Sequence, residues 1–329
     1  MVELTSTTPG LYPLPDDAKE RLADLKGHQK SDLVTGDEGP EIAAAYDDAR
    51  ETVVARQAEA GLDRVVEGQL RWDDMLAHPL AVNDAVETRG IVRYYDNNNF
   101  YREPVITGDL SPTGDLAADL EALVEVAPDD AALQAVVPGP YSLADLATDE
   151  HYGSGLLDAV ADLLAGEIEQ FPDVETLFLL EPSLATAPPE DPEAASAAID
   201  RVAGATGADA VTFPYFGALT EETYVHLLDA DLEAVGFDLV AEQETSLYNV
   251  NEYGCTDEAA LGLVDGQNTQ VESPELLRER VEWFRENTPG ADFDRLYLTS
   301  NTELFYLPVN RFGEKLDALA AATRPEVTA

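Results

Sequence analysis

Short apolar runs alternate along the chain with longer stretches in which apolar residues recur at helical spacing. Eight of the short runs have the length and the β-branched or aromatic content of buried strands. They lie at residues 3–7, 63–68, 133–139, 176–182, 209–216, 237–242, 261–266 and 295–300. Amphipathic helices are predicted at residues 40–61, 156–171, 192–207, 220–231, 273–287 and 311–324.

Strands that alternate with helices predict an α/β fold in which helices cover a parallel sheet. Eight such units in 329 residues fit a closed (β/α)8 TIM barrel, with a doubly wound open sheet as the alternative. Neither Gly-x-Gly-x-x-Gly nor Gly-x-x-x-x-Gly-Lys follows a predicted strand, which disfavours a nucleotide-binding sheet. We expect a single domain over residues 1–329, with an elaborated insertion near 69–112.

The composition is strongly acidic. The chain has 66 Asp and Glu residues against 19 Lys and Arg residues, and its formal net charge is −47. The acids are interleaved with apolar residues, and 45% of the residues are hydrophobic, so we expect a folded protein rather than a disordered one. Molar salt shortens the Debye length to about 3 Å and relieves repulsion between surface carboxylates. The composition therefore predicts a cytoplasmic, halophilic protein, with an acidic protein of ordinary salt tolerance as the alternative.

Several classes of protein are excluded by the composition. Clustered Lys and Arg residues that would bind phosphates are scarce, so no nucleic-acid partner is expected. No apolar run approaches 18 residues, and the first 15 residues lack the features of a signal peptide, so no membrane association is expected. Cys255 is the single cysteine, which excludes an internal disulfide and a site with several cysteine ligands. We interpret it as an inert thiol rather than a nucleophile.

Most of the predicted strands run into polar residues at their carboxyl ends, although the strands themselves are apolar. In a (β/α)8 barrel these ends meet at one face, where active sites are built. The contrast predicts a concave polar site at that face. The polar ends lie at residues 67–69, 138–141, 181–183, 215–217, 242–244, 265–268 and 299–302.

These strand ends resemble those of the cobalamin-independent methionine synthase family, in a larger group that includes uroporphyrinogen decarboxylase. The resemblance extends in order over almost the whole chain, which is identified as a divergent paralogue of haloarchaeal type. It implies the same (β/α)8 fold. The matching segments are TTPGLYPLP (7–15), QAEAGLDRVVEGQLRWDDM (57–75), VRYYDNNNFYREPVI (92–106), VPGPYSLADLA (137–147), LFLLEPSL (177–184), LGLVDGQNTQVESPE (261–275) and the region around 300–304.

The resemblance implies methyl transfer from N5 of a methyltetrahydropterin to homocysteine, whose thiol is activated by zinc. Family members hold the zinc with His-x-Cys after one strand, Glu after the next and Cys after the last. Here the His-x-Cys position falls on residues 215–217, beginning with Tyr215, and the last ligand becomes Thr302. Glu242 is the candidate for the remaining Glu. Zinc prefers nitrogen and sulfur donors, and a lone Glu with neutral oxygen neighbours cannot make a tight zinc site, so zinc is not expected and no residue is assigned as a metal ligand.

Other family positions also differ. The family's His that handles the proton at the pterin N5 becomes Gln267, and the Glu of Asp-Gly-Glu becomes Gln69. The Asp that would hold the amino group of homocysteine becomes Leu180, with Glu181 next to it. Compared with the family, the chain therefore lacks the residues that would activate the thiol.

An Arg-rich and aromatic region stands out against the acidic background. It predicts a pocket for an anionic ligand, such as the glutamate-bearing tail of a pterin, with aromatic rings stacked on the flat ring. The alternative is that these Arg residues pair with neighbouring acids and the rings are ordinary packing. The Arg residues are Arg64, Arg71, Arg89, Arg93 and Arg102, the rings are Tyr94, Tyr95, Phe100 and Tyr101, and the neighbouring acids are Asp73, Asp96 and Glu103.

The hypothesis from the sequence is a methionine-synthase-family barrel that binds a methyltetrahydropterin or tetrahydrofolate-type methyl donor and works with a zinc-bearing homologue. No tightly bound cofactor is expected, and no catalytic residue is assigned. The alternatives are a stand-alone, zinc-independent methyltransferase and a non-enzymatic partner with a decayed site. The predicted ligand-binding residues are Gln69, Arg71, Asp73, Arg93, Tyr94, Tyr101, Glu181, Tyr215, Glu242, Asp265, Gln267, Asn301 and Thr302.

Overall fold

The computed structural model describes residues 2–23, 39–72, 76–93 and 100–324, apart from the side chains of residues 91–93, 100 and 101. The strands, numbered in chain order, are β1 (Glu3–Ser6), β2 (Val65–Val66), β3 (Val86–Arg93), β4 (Phe100–Ile106), β5 (Leu133–Pro138), β6 (Thr148–Asp149), β7 (Thr176–Leu180), β8 (Asp209–Phe213), β9 (Ala234–Asp238), β10 (Glu258–Val264) and β11 (Arg295–Ser300).

Eight parallel strands form one curled sheet in the order β1-β11-β10-β9-β8-β7-β5-β2. The sheet brings its two outer strands together, because the amides of Asp63 and Arg64, just before β2, both donate to the carbonyl of Ser6 at 3.2 Å. The Asp63 carboxylate also accepts from the amide and the hydroxyl of Ser6, at 2.7 and 2.6 Å. The predicted α/β barrel is confirmed.

Side chains from opposite walls meet inside the barrel. Arg295 and Tyr297 of β11 contact the Asp209 carboxylate of β8, at 3.0 and 3.4 Å, although two strands separate β11 from β8 in the sheet order. The rings of Tyr297 and Phe178, from β7, meet edge to face with centroids 6.1 Å apart. Side chains alternate between the two faces of a strand, so every second residue of β11 from Arg295 onward faces the interior.

Helices cover the outside of the sheet. Three of them begin with a side-chain N-cap, in which Asp191, Thr220 or Ser273 accepts a backbone amide three residues later. The helices are α1 (Asp16–Leu22), α2 (Pro40–Ala60), α3 (His78–Ala81), α4 (Asp115–Val126), α5 (Pro140–Leu146), α6 (Leu156–Ile168), α7 (Pro182–Thr186), α8 (Pro192–Ala203), α9 (Glu221–Leu227), α10 (Glu244–Tyr253), α11 (Pro274–Asn287) and α12 (Val309–Thr323), with a 3₁₀ turn at Gly153–Gly155.

A second, smaller sheet contains the segment that follows β2. Strands β3 and β4 pair antiparallel, and β6 pairs parallel with β4. The insertion near 69–112 was predicted from its composition, but its hairpin was not. Among the helices that the structure describes, none is long and apolar enough to cross a membrane.

Several strands have other bounds than predicted, and β9 differs most. The sequence favours a strand at 237–242, whereas β9 ends at Asp238. The Asp238 carboxylate accepts the amides of Val240 and Ala241, at 3.2 and 2.9 Å, and this local turn leads the chain out of the sheet. The apolar residues after Asp238 look like a continuing strand, but they belong to the turn.

Candidate ligand site at the carboxyl ends of the strands

A buried carboxylate lies at the centre of the carboxyl end of the barrel. Asp238 is 1% exposed. Besides the amides of Val240 and Ala241, it accepts the amide of Phe216 at 2.9 Å and the Asn301 side-chain amide at 3.0 Å. One carboxylate thus joins the loops that follow β8, β9 and β11.

Asn301 extends this cluster to a fourth loop. Its Oδ1 accepts the amide of Gly266, at 3.0 Å, from the loop after β10. A Cβ on Gly262 would lie 2.7 Å from Cα of Asn301, and one on Gly266 would lie 2.6 Å from Oγ1 of Thr302. The two glycines therefore allow residues 301 and 302 to lie directly against β10 and its loop. We call Phe216, Asp238, Gly266 and Asn301 the Asp238 cluster.

The electrostatic character of the cluster is unusual for a buried acid. Burial raises the pKa of the Asp238 carboxyl, and its hydrogen bonds with Ala241, Asn301, Phe216 and Val240 act in the opposite direction, leaving the pKa above its usual value. All four donors are neutral amides rather than cations. The cluster holds its carboxylate by directed hydrogen bonds, not by an ion pair.

Two hydroxyl-bearing residues of the predicted site lie beside this cluster. Tyr215 is 1% exposed, and its ring packs against those of Phe213 and Phe216, with centroids 6.4 and 4.7 Å away. Thr302 is also buried, and its hydroxyl donates to the carbonyl of Glu303 at 3.2 Å. The cluster therefore brings three predicted residues, Tyr215, Asn301 and Thr302, to one end of the barrel.

Glu181 closes the neighbouring turn after β5. Its Oε1 accepts the amide of Tyr141 at 2.9 Å, and its Oε2 accepts the amide and the hydroxyl of Ser142 at 2.7 and 2.6 Å. A side chain on Gly139 would overlap the Glu181 carboxyl. Burial is the main cause that raises the pKa of Glu181 to about 7. Both carboxyl oxygens are thus engaged at the first turn of α5.

Gln69 joins the N-terminal segment to the end of β2. Its Oε1 accepts the amide of Leu11 at 2.8 Å, while the amide of Tyr12 donates to the carbonyl of Gly68 at 2.9 Å. Gln69 has a φ of 50°, and a side chain on Gly10 would overlap it. The ligand-binding role of Gln69 stays a prediction, and in the structure its side-chain carbonyl oxygen accepts a backbone hydrogen bond.

Arg71 belongs to a buried network of charges. It contacts Asp115 at 2.6 Å and Asp119 at 3.1 Å, and His78 contacts Asp115 at 2.7 Å. Burial opposes ionisation of Asp115, but the hydrogen bond and charge of His78, together with Arg71, lower its pKa to about 2. His78, Asp115 and Asp119 come close enough to hold a metal ion. The Arg71 guanidinium already neutralises both carboxylates, which disfavours a second cation there.

The remaining predicted residues of the loops after β9 and β10 are more exposed. Glu242 is half-buried in the turn before α10, where it accepts the amide of Thr245 at 3.2 Å. Asp265 accepts the amide of the exposed Gln267 at 3.0 Å. The amide of Asp265 donates to Glu272 at 3.0 Å, and Glu272 pairs with the fully buried Lys315 at 2.8 Å. This chain of contacts fixes the loop after β10.

The Arg-rich region is divided in space. Arg64 precedes β2 and donates to the Thr176 hydroxyl at 3.0 Å, whereas Arg71 follows β2 at the opposite end. Arg89 pairs with Glu150 at 2.6 Å. Predicted site residues Asp73 and Tyr94 lie outside the described residues, as do Tyr95 and Asp96, and the side chains of Arg93, Phe100 and Tyr101 are not among those described.

The donor atoms at the three strand ends do not fit a tight zinc site. Tyr215 offers a phenol, Thr302 a hydroxyl and Glu242 a half-buried carboxylate, whereas zinc prefers thiolate and imidazole. Cys255 lies before the amino end of β10, away from this face, and burial raises the pKa of its thiol. His226 lies in α9. The three strand ends thus offer oxygen donors only.

Sequence reasoning missed Asp238, the centre of the cluster. The acid was visible in the sequence, between Phe237 and Leu239, but the strand was predicted to end four residues later. An acid followed by two residues that can form an Asx turn was the signal that could have identified it.

A curled sheet of eight parallel strands, with a buried polar cluster at the carboxyl ends, defines a (β/α)8 barrel, a class of protein in which that face usually holds the site. Within that class, residues 83–287 match the family model described as "Cobalamin-independent synthase, N-terminal domain". The chain belongs to this family.

Curated relatives and solved structures agree with this assignment. A methionine synthase of Sulfolobus acidocaldarius is 24% identical over 292 residues, covering 86% of this chain and 82% of the relative. A methionine synthase of Saccharolobus solfataricus is 22% identical, with coverages of 85% and 84%. The fold is similar to that of a B12-independent methionine synthase from Shewanella sp. W3-18-1, solved with selenomethionine, at a TM-score of 0.78, 18% identity and coverages of 98% and 97%. A putative vitamin-B12 independent methionine synthase from Listeria monocytogenes has a TM-score of 0.74, 14% identity and coverages of 98%.

Proposed function

We propose that this chain is a methyl-donor-binding barrel of methionine synthesis that works with a zinc-bearing homologue. The observation that carries the proposal is the chemistry of the strand ends. Tyr215, Glu242 and Thr302 present oxygen atoms where the family resemblance implies metal ligands. The fold and the family are retained, whereas the donors that would activate a thiol are not.

The site suits a neutral, polar ligand. Asp238 and Asn301 hold the loops with their own polar atoms, and the side chains beside them supply the hydroxyl oxygens of Thr302 and Tyr215 as hydrogen-bond acceptors, together with the aromatic ring of Tyr215. A reduced pterin carries ring and amino N–H groups that can donate to such acceptors, and a flat face that can pack on an aromatic ring. We therefore assign to these residues the binding and orientation of the methyl donor.

Thiol activation is assigned to the partner. Zinc bound to the homologue would lower the pKa of the homocysteine thiol and present a thiolate. In this chain, the Asp238 cluster holds the four loops after β8 to β11 in place. Tyr215 and Thr302, carried by two of those loops, orient the donor toward the partner.

The acidic composition determines the salt concentration at which this proposal should be tested. With a net charge of −47, we assign the protein to the cytoplasm of a high-salt cell, where screening removes most surface repulsion. Binding should therefore be measured in molar KCl rather than in dilute buffer.

The test is calorimetric titration with 5-methyltetrahydrofolate and with a methylated methanopterin, each with and without a zinc-bearing family member from the same source. We expect a binding signal for one donor, and methylation of homocysteine only when both proteins are present. Absence of binding under both conditions contradicts the proposal. Methylation of homocysteine by this chain alone supports the stand-alone methyltransferase instead.

A further inference from the structure

The hydroxyl of Thr299 has no hydrogen-bond partner in the structure, although the residue is fully buried. Most buried polar side-chain atoms in proteins are satisfied, and an exception calls for a physical reason. A buried hydroxyl without a partner loses its hydrogen bonds to water and gains nothing in return. A valine at this position would have nearly the same shape without that cost.

Thr299 faces the interior of the barrel. It lies two residues beyond Tyr297 and four beyond Arg295, and both of these reach across the interior to Asp209. The alternation of a strand places Thr299 on the same side. Its hydroxyl therefore points inside the barrel and not toward the helices.

Thr299 lies at the same level along the barrel axis as the candidate site. In the strand register it pairs with Gly262 of β10, and Gly262 pairs with Asp238 of β9. Thr7 is next to it on the β1 side, where the Thr7 amide donates to the carbonyl of Leu298 at 3.0 Å. We call Thr7, Thr299, Gly262 and Asp238 the upper row.

The other members of the upper row are already engaged. The Thr7 hydroxyl donates to Gln134 at 2.7 Å, Gly262 has no side chain, and the Asp238 carboxylate accepts four amides. The row contains no cation. Its free hydroxyl can both donate and accept, so it matches a neutral polar atom of a ligand better than an anionic group.

We propose that Thr299 is a ligand-contacting residue whose hydroxyl forms a hydrogen bond to a neutral ring nitrogen, carbonyl or amino group of the bound methyl donor. This inference rests on the proposed function, because the donor is the ligand that it names. Thr299 then trades stability of the empty protein for affinity, as binding sites commonly do.

The chain offers a matched control in Thr212. Thr212 is also fully buried in a strand with an unpartnered hydroxyl. It lies between Val211 and Phe213 of β8, one residue out of phase with Phe213, whose ring contacts the interior ring of Phe178 at 5.8 Å. Thr212 therefore faces the helices, where no ligand is proposed to bind. Removing its hydroxyl measures the effect of losing an unpartnered buried hydroxyl that does not contact the ligand.

The experiment compares Thr299→Val, Thr299→Ser and Thr212→Val by calorimetric titration with the donor that binds the unmodified protein, and by thermal unfolding. We expect Thr299→Val to raise Kd about 5- to 10-fold, the worth of one hydrogen bond. Its Tm in the absence of ligand should stay level or rise by about 1–3 °C. Thr299→Ser keeps the hydroxyl and should bind nearly as the unmodified protein does, and Thr212→Val should leave Kd unchanged.

The two proposals fail differently. If the unmodified protein binds a donor and Thr299→Val binds it equally well, the role of Thr299 is refuted while the proposed function stands. An equal loss of affinity in Thr212→Val would also refute the role of Thr299, because the loss would then follow from removing any buried hydroxyl. If the unmodified protein binds no donor, the proposed function has failed.

Discussion

The two ends of the barrel are held together by opposite means. At the amino end, the Arg295 guanidinium contacts Asp209 and Glu258, each at 3.0 Å, and Glu3 at 3.4 Å. At the carboxyl end, the Asp238 carboxylate is surrounded by neutral amides. The Arg295 cluster surrounds a cation with acids, whereas the Asp238 cluster surrounds an acid with dipoles, although Arg71 also pairs with two acids on the β2 side of the carboxyl end.

This difference separates stability from binding. Breaking a buried charge pair is costly because it leaves an unpaired charge, and groups engaged in such a pair are not free for a ligand. Amide hydrogen bonds to the Asp238 carboxylate position three loops, and Asn301 links them to the loop after β10. The carboxyl end retains an unsatisfied hydroxyl at Thr299, whereas at the amino end Nη1 of Arg295 pairs with both Asp209 and Glu258.

The largest effect is expected from removing the cation at the amino end. Arg295→Met leaves Glu3, Asp209 and Glu258 close together without their shared partner, and we expect a loss of about 2–4 kcal/mol in the free energy of unfolding. Denaturant unfolding measures it. The control is Arg201→Met, whose exposed pairs with two acids should contribute at most about 1 kcal/mol. Equal losses in the two variants would contradict the contrast between the two ends.

A smaller loss of stability, with a change in binding, is expected at the carboxyl end. Asp238→Asn places an amide NH2 against the backbone amides that the carboxylate accepted, so we expect a loss of about 1–3 kcal/mol and weaker binding of the methyl donor. Glu242→Gln changes the half-buried acid nearby and should stay within about 0.5 kcal/mol. A greater loss of unfolding free energy in Glu242→Gln than in Asp238→Asn would contradict the role of Asp238 as the residue that joins these loops.

The smallest effect concerns the dependence of stability on pH. Burial raises the pKa of Glu181 from 4.5 to about 7, so the folded state favours the protonated form. Its contribution to stability is fully present below pH 4.5 and is lost as the pH rises toward 7. The difference in unfolding free energy between the unmodified protein and Glu181→Gln should therefore fall by about 1–2 kcal/mol between pH 6 and 8.

Chemical denaturation at several pH values in molar KCl measures this difference. Glu67, whose pKa is likewise raised to about 7, chiefly by burial, is present in both proteins, and its contribution cancels in the comparison. A difference that does not change with pH would mean that Glu181 is ionised in the folded protein throughout this range.

Strand β11 shows where sequence reasoning works. Its predicted bounds, 295–300, agree with the structure, because an apolar core is flanked by polar residues on both sides. β9 shows where it does not. The turn at Asp238 depends on where a side chain hydrogen-bonds, and the apolar residues that follow conceal it. Helices α5 and α7 start with proline and are only 7 and 5 residues long. They are too short for their apolar residues to show the helical period.

The site was predictable in its location and residue types but not in its contacts. Tyr215, Asn301 and Thr302 were expected at strand ends, and they lie there. The partners of Arg71, in contrast, are 44 and 48 residues away in the sequence. Which acids pair with it depends on how α4 packs against the end of β2, and no local pattern encodes that choice.

The closure of the barrel between β1 and β2 has a consequence for how a ligand enters. Elsewhere around the sheet, neighbouring strands are joined by ladders, whereas here two amides share the single carbonyl of Ser6. An opening at this closure would break these hydrogen bonds and those from Ser6 to the Asp63 carboxylate, but no strand ladder. Thr299 lies on the strand that pairs with β1, so the same small opening that admits a bulky ring would also uncover the hydroxyl that receives it.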